Sequence, residues 1–267
     1  MPTRRFLRAV WRGAALVAYT GACMLVWRAG AAWAAREPGR AWRWRCSWFR
    51  RWARGALRLL HIRLQVMGPI PQQPFLLVCN HLGYLDVPVL ASVVDAAFVA
   101  KVEVASWPVL GRLCRWMGTL FVDRRRRRDL PAALHALDNE LAAGRGVVVF
   151  PEGTSSGGGR VLPFHAPLLA AAAEAGLPVA WAALDYATPP GEPPASTAVC
   201  WWGDLPPFHA HFAALLTLPY VQARLRLGDR RVVATDRKRL ADELHSAVTL
   251  GLQEGLEPER RRRAAPA

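Results

Sequence analysis

The sequence predicts an α/β protein, a layered sheet flanked by helices, carrying an N-terminal membrane-associating helical module. Three observations predict it. From residue 75 onward, short β-branched and aliphatic runs alternate with stretches of helical length, the pattern of a layered α/β domain. Ahead of them, residues 13–27 are uncharged and mostly apolar, and residues 40–54 interleave tryptophan with arginine. The apolar runs at 75–79 and 146–150 each open directly into polar residues, the place where α/β sheets keep their chemistry. The organisation expected is a membrane-associating module over 1–66, an α/β domain over 67–255 and a basic, disordered tail over 256–267.

The 267 residues suit one domain with a decoration and can bury a substantial core. Lys and Arg number 35 against 20 Asp and Glu, a formal charge of +15, and only Lys101 and Lys238 are lysines. Such a balance implies an anionic partner, either nucleic acid or a membrane surface with phosphate headgroups. The 12 tryptophans favour the membrane, because indole settles where it is half buried and half wet. Neither paired Cys/His ligands nor an aromatic RNA-binding motif occurs, so no nucleic-acid partner is expected. The cysteines Cys23, Cys46, Cys79, Cys114 and Cys200 are odd in number, scattered and without a C-x-x-C pair. They support neither a disulfide framework nor a zinc site, and buried reduced thiols on a cytoplasm-facing protein account for them. With no metal-ligand cluster and no nucleotide-phosphate loop, no metal or redox cofactor is expected.

Along the chain, Arg4, Arg5, Arg8 and Arg12 precede the apolar run at 13–27. That run reads either as a signal peptide, with the small residues of 29–35 as its cleavage region, or as a membrane anchor. As a helix it measures about 22 Å, short of the ~30 Å hydrocarbon core. Extension to Ala35 reaches the full thickness only by taking in Arg28, so a segment that dips into one leaflet or spans with strain is expected. Arginines flank both ends, so the charge rule assigns no orientation. Next, Trp42, Trp44, Trp48, Phe49 and Trp52 interleave with Arg40, Arg43, Arg45, Arg50, Arg51 and Arg54. This reads as an interfacial helix, rings in the headgroup layer and guanidinium groups on phosphates. The competing reading is an ordinary amphipathic helix packed on the core. The C-terminal Glu259-Arg260-Arg261-Arg262-Arg263 offers a further headgroup contact.

Within the α/β region, strands are expected at 75–79, 97–100, 119–122, 147–150, 179–184, 197–202 and 221–227. Helices are expected at 87–94, 107–116, 129–143, 167–175 and 237–252, with a proline-rich surface loop at 188–194. Directly after the first strand comes Asn80-His81-Leu82-Gly83-Tyr84-Leu85-Asp86. His81 and Asp86 can lie on one side of such an element, roughly a turn apart. A carboxylate beside an imidazole fixes its tautomer, holds its ring and stabilises the protonated form, which makes a general base for a hydroxyl. The plainer alternative is a helix N-terminus capped by Asn80 or Asp86, with His81 merely exposed.

Two further blocks lie downstream, Gly118-Thr119-Leu120-Phe121-Val122-Asp123-Arg124 and Phe150-Pro151-Glu152-Gly153-Thr154. Together with His81-Leu82-Gly83-Tyr84-Leu85-Asp86 they resemble, in order and rough spacing, three signatures of the glycerolipid acyltransferase family, of the lysophosphatidic acid acyltransferase type. The resemblance covers about residues 75–184. It implies transfer of a fatty acyl group from acyl-CoA or acyl carrier protein to the free hydroxyl of a lysolipid, by direct attack with His81 as base and Asp86 orienting it. It also implies no resident cofactor, membrane lipids as partners, and a cell-membrane location with the catalytic domain facing the cytoplasm. No Ser or Cys is placed as a nucleophile, and N–H groups near Gly83 or the 151–154 turn are candidates for the oxyanion.

For the acceptor, Arg124 completes its block and can bind a phosphate bidentately, although residues 124–128 are five successive arginines and such runs are commonly solvated. Gly118, Phe121, Glu152, Gly153 and Thr154 carry over as substrate-binding positions. Glu152, being acidic, is expected to orient an arginine or accept from a glycerol hydroxyl, and Gly153 to permit close backbone approach. Lys101, at a strand end, is a further candidate for phosphate contact. The chain departs from the family in two places. Ser155-Ser156-Gly157-Gly158-Gly159 intervenes before Arg160 where the family commonly continues with arginine, and Gly83 stands where it often has serine. Arg160 is the candidate replacement. Both departures leave the transfer machinery intact and open the acceptor to question, and a bacterial subgroup acylating lyso-ornithine lipid is similar across these blocks. The reading from another class is a non-catalytic basic protein binding membrane or nucleic acid, which has no need of the His81–Asp86 pair.

Overall fold

The computed structural model describes residues 2–37, 39–107, 110–122 and 130–264. Two helices come first, α1 (Pro2–Ala34) and α2 (Arg40–Leu59), followed by β1 (Ile62–Met67), β2 (Phe75–Cys79), α3 (Asp86–Ala91), β3 (Ala96–Lys101), α4 (Leu110–Trp116) and β4 (Leu120–Val122). The chain continues through α5 (Leu130–Ala142), β5 (Gly146–Val149), α6 (Ala170–Glu174), β6 (Val179–Ala187), α7 (Ala195–Ala198), α8 (Phe208–Thr217), β7 (Val221–Leu227) and α9 (Arg237–Ala264). The expected α/β layering is what the chain adopts.

Seven strands form one sheet in the order β1-β7-β6-β2-β5-β3-β4. From β6 to β4 all neighbours run parallel, whereas β7 is antiparallel to β6 and parallel to β1. The central strands β2 (FLLVC) and β5 (GVVV) are buried along their whole length, as parallel strands covered on both faces must be. Along β2 the side chains alternate between two apolar layers. Phe75, Leu77 and Cys79 join Phe49, Ala53 and Leu57 of α2 and Val89 of α3. Leu76 and Val78 join Leu240, Leu244 and Val248, which recur every four residues on one face of α9. His81 follows Cys79 by two residues, so it leaves the carboxyl end of a central strand on the α2/α3 side.

Expectation and structure part in several places. Residues 197–202 form no strand: Pro194 starts the short helix α7, and the Val199 and Cys200 N–H groups both bond to the Ala195 carbonyl, leaving nothing for a ladder. β1 is not among the expected strands, although Ile62-Arg63-Leu64-Gln65-Val66 alternates as a half-buried strand does; it is an edge strand, open on one side, and it crosses the expected boundary at 66/67. Helix α9 continues to Ala264, through the stretch expected to be disordered.

The Trp/Arg helix α2 follows the packed, amphipathic alternative. Trp42, Cys46, Phe49, Ala53 and Leu57 are buried at helical spacing. Its other indoles hold α1: Trp44 donates to the Trp27 carbonyl at 3.2 Å, Trp52 to Thr20 at 3.0 Å, and Trp33 meets Trp44 edge to face. The bare apolar surface lies instead on α1, where Trp11, Val17 and Leu25 are each more than 70% exposed. Residues 3–34 are long and apolar enough to cross a membrane.

Candidate active site

Strand β2 ends in the buried Asn80, whose side chain both donates to the Leu184 carbonyl (2.9 Å) and accepts the Leu184 N–H (2.7 Å). This stitches β2 to β6 at the point where the turn begins, so Asn80 is not a helix cap. His81 then turns its Nδ1 onto Asp86 Oδ2 at 2.7 Å. Asp86, fully buried at the first position of α3, also accepts the N–H groups of Leu82 (2.6 Å) and Gly83 (3.0 Å) through Oδ2 and the Tyr186 hydroxyl (3.0 Å) through Oδ1. Four donors converge on one carboxylate, which fixes it in place. With Nδ1–H directed at Asp86, the network assigns the lone pair to Nε2. The His81 side chain remains 26% exposed, enough for a substrate to reach.

The adjacent strand β5 delivers the segment 150–156 alongside. The Phe150 ring stacks on His81 with centroids 4.4 Å apart and planes 23° from parallel. Glu152 Oε1 accepts the His81 backbone N–H at 3.0 Å, and the Ser156 N–H donates to the His81 carbonyl at 2.9 Å. Gly153 turns at φ 72°, a conformation that disfavours a side chain. Glu152 is buried and its Oε2 lacks a hydrogen bond of normal geometry. Burial, with the charge of Asp86 adding to it, pushes the Glu152 carboxyl up to about 7, against the pull of the His81 and Leu162 N–H groups and the imidazole.

The other sequence-derived positions separate. Thr154 and Arg160 are exposed on the loop after β5, and Lys101 is exposed at the end of β3. Gly118 and Phe121 flank and enter β4 at the sheet edge, three strand spacings (about 14 Å) from β2. They do not meet His81, and Gly118 lies instead against the Arg45 guanidinium. Arg124 lies outside the described residues. The N–H of Gly83 is committed to Asp86 and that of Gly153 to the Phe150 carbonyl, and Pro151 has none, which leaves the N–H groups of Glu152 and Thr154 as the candidates for an oxyanion.

Sequence reading missed Tyr186, Tyr84, Trp201 and His211. Tyr186 lies on β6 two residues beyond the end of the strand expected at 179–184. The Tyr84 hydroxyl meets His211 Nδ1 at 2.9 Å, while His211 Nε2 faces the Thr197 carbonyl at 3.2 Å. Burial lowers the His211 pKa, so the neutral ring donates from Nε2 and accepts from Tyr84. Trp201 explains Gly83: its N–H bonds the Leu82 carbonyl, and a Cβ on Gly83, at φ 152°, would stand 2.9 Å from the Trp201 nitrogen. A serine there would crowd this chain's own backbone. Among the described residues no group of His, Cys, Asp and Glu could hold a metal ion.

Residues 61–183 match the model of the family described as Acyltransferase. The chain is 34% identical over 215 residues to the lyso-ornithine lipid O-acyltransferase of Pseudomonas aeruginosa, a match covering 80% of this chain and 81% of that protein. It is 40% identical over 135 residues to the 1-acyl-sn-glycerol-3-phosphate acyltransferase of Neisseria gonorrhoeae, covering 50% of this chain and 53% of the other. The chain thus spans about half the length of the second relative. In fold it resembles the crystal structure of the 1-acyl-sn-glycerophosphate acyltransferase PlsC from Thermotoga maritima, with a TM-score of 0.67 at 21% identity over 98% of this chain and 96% of that one.

Proposed function

The chain belongs to the acyltransferase family, and on that premise we propose that it moves a fatty acyl group from a thioester, acyl-CoA or acyl carrier protein, to the free hydroxyl of a lysolipid. The observation that carries the reading is the His81–Asp86 pair, with Nδ1 on a fully buried carboxylate and the ring partly open to substrate. Nε2 takes the proton of the lysolipid hydroxyl as its oxygen attacks the thioester carbonyl, and Asp86 stabilises the imidazolium that forms. Collapse of the tetrahedral intermediate breaks the C–S bond, and the imidazolium returns the proton to the departing thiolate. No acyl-enzyme is needed. Cys79 and Cys200, the thiols nearest in sequence or charge to the site, are buried, and burial pushes both pKa values up, which keeps them protonated and poor nucleophiles.

The acceptor is read first as a 1-acyl-glycerol-3-phosphate. Lyso-ornithine lipid is the second reading, favoured by the longer match to the Pseudomonas protein and by Ser155 standing where an arginine would follow Thr154. The bare face of α1 seats the domain on the membrane, and the free cysteines fit the cytoplasmic side, where thiols stay reduced. The test is acyl transfer in vesicles by wild type and His81→Ala, with acyl-CoA and acyl carrier protein as donors and the two lysolipids offered separately. Product from wild type and its loss in the variant support the reading, and the preferred acceptor selects between its forms. A folded wild type that acylates neither lysolipid sinks it.

A further inference from the structure

We infer that Glu152 is a positioning residue for His81, holding the base through its backbone, and is not a group that touches the acceptor. The inference rests on the acyl-transfer reading above. Glu152 is 2% exposed, and its Oε1 accepts the His81 N–H at 3.0 Å. The same segment holds the remainder of the residue: the Ser156 N–H bonds the His81 carbonyl at 2.9 Å, and Phe150 stacks on the ring at 4.4 Å. His81 is thus gripped at its N–H, its carbonyl and its ring face by residues 150–156, while Asp86 fixes Nδ1 alone. A carboxylate at this depth meets a headgroup only if the segment opens, and its charge would repel a phosphate. Its hold on His81, by contrast, is complete once the chain has folded.

The experiment compares Glu152→Ala and Glu152→Gln with wild type in the vesicle assay, separating kcat from the acceptor KM. Loss of the N–H anchor lets the imidazole drift, and a shift near 1 Å costs about 10²-fold. Glu152→Ala is expected to lose about that factor in kcat, with acceptor KM changed by less than about threefold. Glu152→Gln keeps an acceptor oxygen for the His81 N–H and is expected to return kcat to within about tenfold of wild type. A rise in acceptor KM of about tenfold or more with kcat held, in either variant, overturns the inference. So does an equal kcat loss in both variants, or unchanged kinetics in Glu152→Ala. If Glu152→Ala does not fold, Glu152→Asp, whose shorter side chain withdraws the acceptor from the His81 N–H, takes its place on the same criteria. A wild type inactive toward both lysolipids refutes the proposed function instead, since that result precedes any difference among variants.

Discussion

The Tyr186 hydroxyl, carried on β6, donates to Asp86 Oδ1 at 3.0 Å across the carboxyl end of the sheet. Among the described residues it is the one side-chain donor to that oxygen, while the other oxygen serves His81 and two backbone N–H groups. Tyr186→Phe keeps the ring and strands a buried carboxylate oxygen, a loss of about 1–3 kcal/mol. The expected outcome is a lower melting temperature together with a kcat reduced by about tenfold, as Asp86 gains freedom to turn away from the imidazole. A variant as stable and as active as wild type would show that the three Oδ2 contacts suffice.

Arg12 joins the apolar helix α1 to the catalytic half. Its guanidinium is buried and donates to the carbonyls of Leu216 (3.1 Å), Leu218 (2.5 Å) and Pro219 (2.9 Å), while Arg8 donates to that of Thr217 (2.7 Å). These are carbonyls at and just beyond the C-terminus of α8, where unsatisfied acceptors and the negative end of the helix dipole favour a cation. Arg12→Met preserves the stem and removes all three bonds, with an expected loss of about 2–4 kcal/mol read by denaturant unfolding. Arg5→Ala, whose exposed partner is Glu192, is expected to cost less than about 1 kcal/mol.

The contrast between Arg12 and His81 marks what a linear sequence reveals. His81 and Asp86 were legible because both chemistry and spacing sit in one turn, and strands 75–79 and 221–227 were legible because burial on one or both faces dictates their residue pattern. Tyr186 and Asp86 are a hundred positions apart, and Tyr186, set behind Asp185 past the apolar run 179–184, carries no mark of its partner until the sheet order sets β6 beside β2. The Trp/Arg helix misled for a related reason. Indole suits a membrane interface and a helix–helix seam equally well, and α1 lies close enough in sequence to supply the seam. Arginine at position 12 read as a flank to an apolar run, because its partners are carbonyls, which carry no sequence signature at all.

Glu152 sets a pH dependence whose sign follows from its environment. Its folded pKa of about 7 lies above the ordinary value of 4.5, chiefly through burial. The folded protein therefore binds a proton that the unfolded chain gives up, and stability falls as pH rises from about 4.5 through 7. The neutral carboxyl is fully accommodated below that window, and the penalty of the buried charge is complete above it. Glu152→Gln cannot ionise, so its melting temperature is expected to gain on that of wild type as pH climbs from about 5 to 8. Parallel melting curves for the two proteins across that range would place the Glu152 titration below the window.

Membrane seating makes a different demand, one that salt separates from charge. Trp11, Val17 and Leu25 project from α1 at 71%, 74% and 71% exposure, on a helix whose arginines cluster toward its first turns. If these side chains enter the acyl boundary, each contributes about 1.5–3 kcal/mol that ionic strength does not screen, whereas contacts of the arginines with lipid phosphates weaken once the Debye length contracts to a few ångströms. Val17→Glu with Leu25→Glu is accordingly expected to lower vesicle partitioning by more than about tenfold in both 0.1 M and 1 M salt. Wild type is expected to keep most of its binding at the higher concentration. Release of wild type by salt alone, with the double variant no weaker, would assign the seating to arginine and leave the apolar face of α1 without a membrane role.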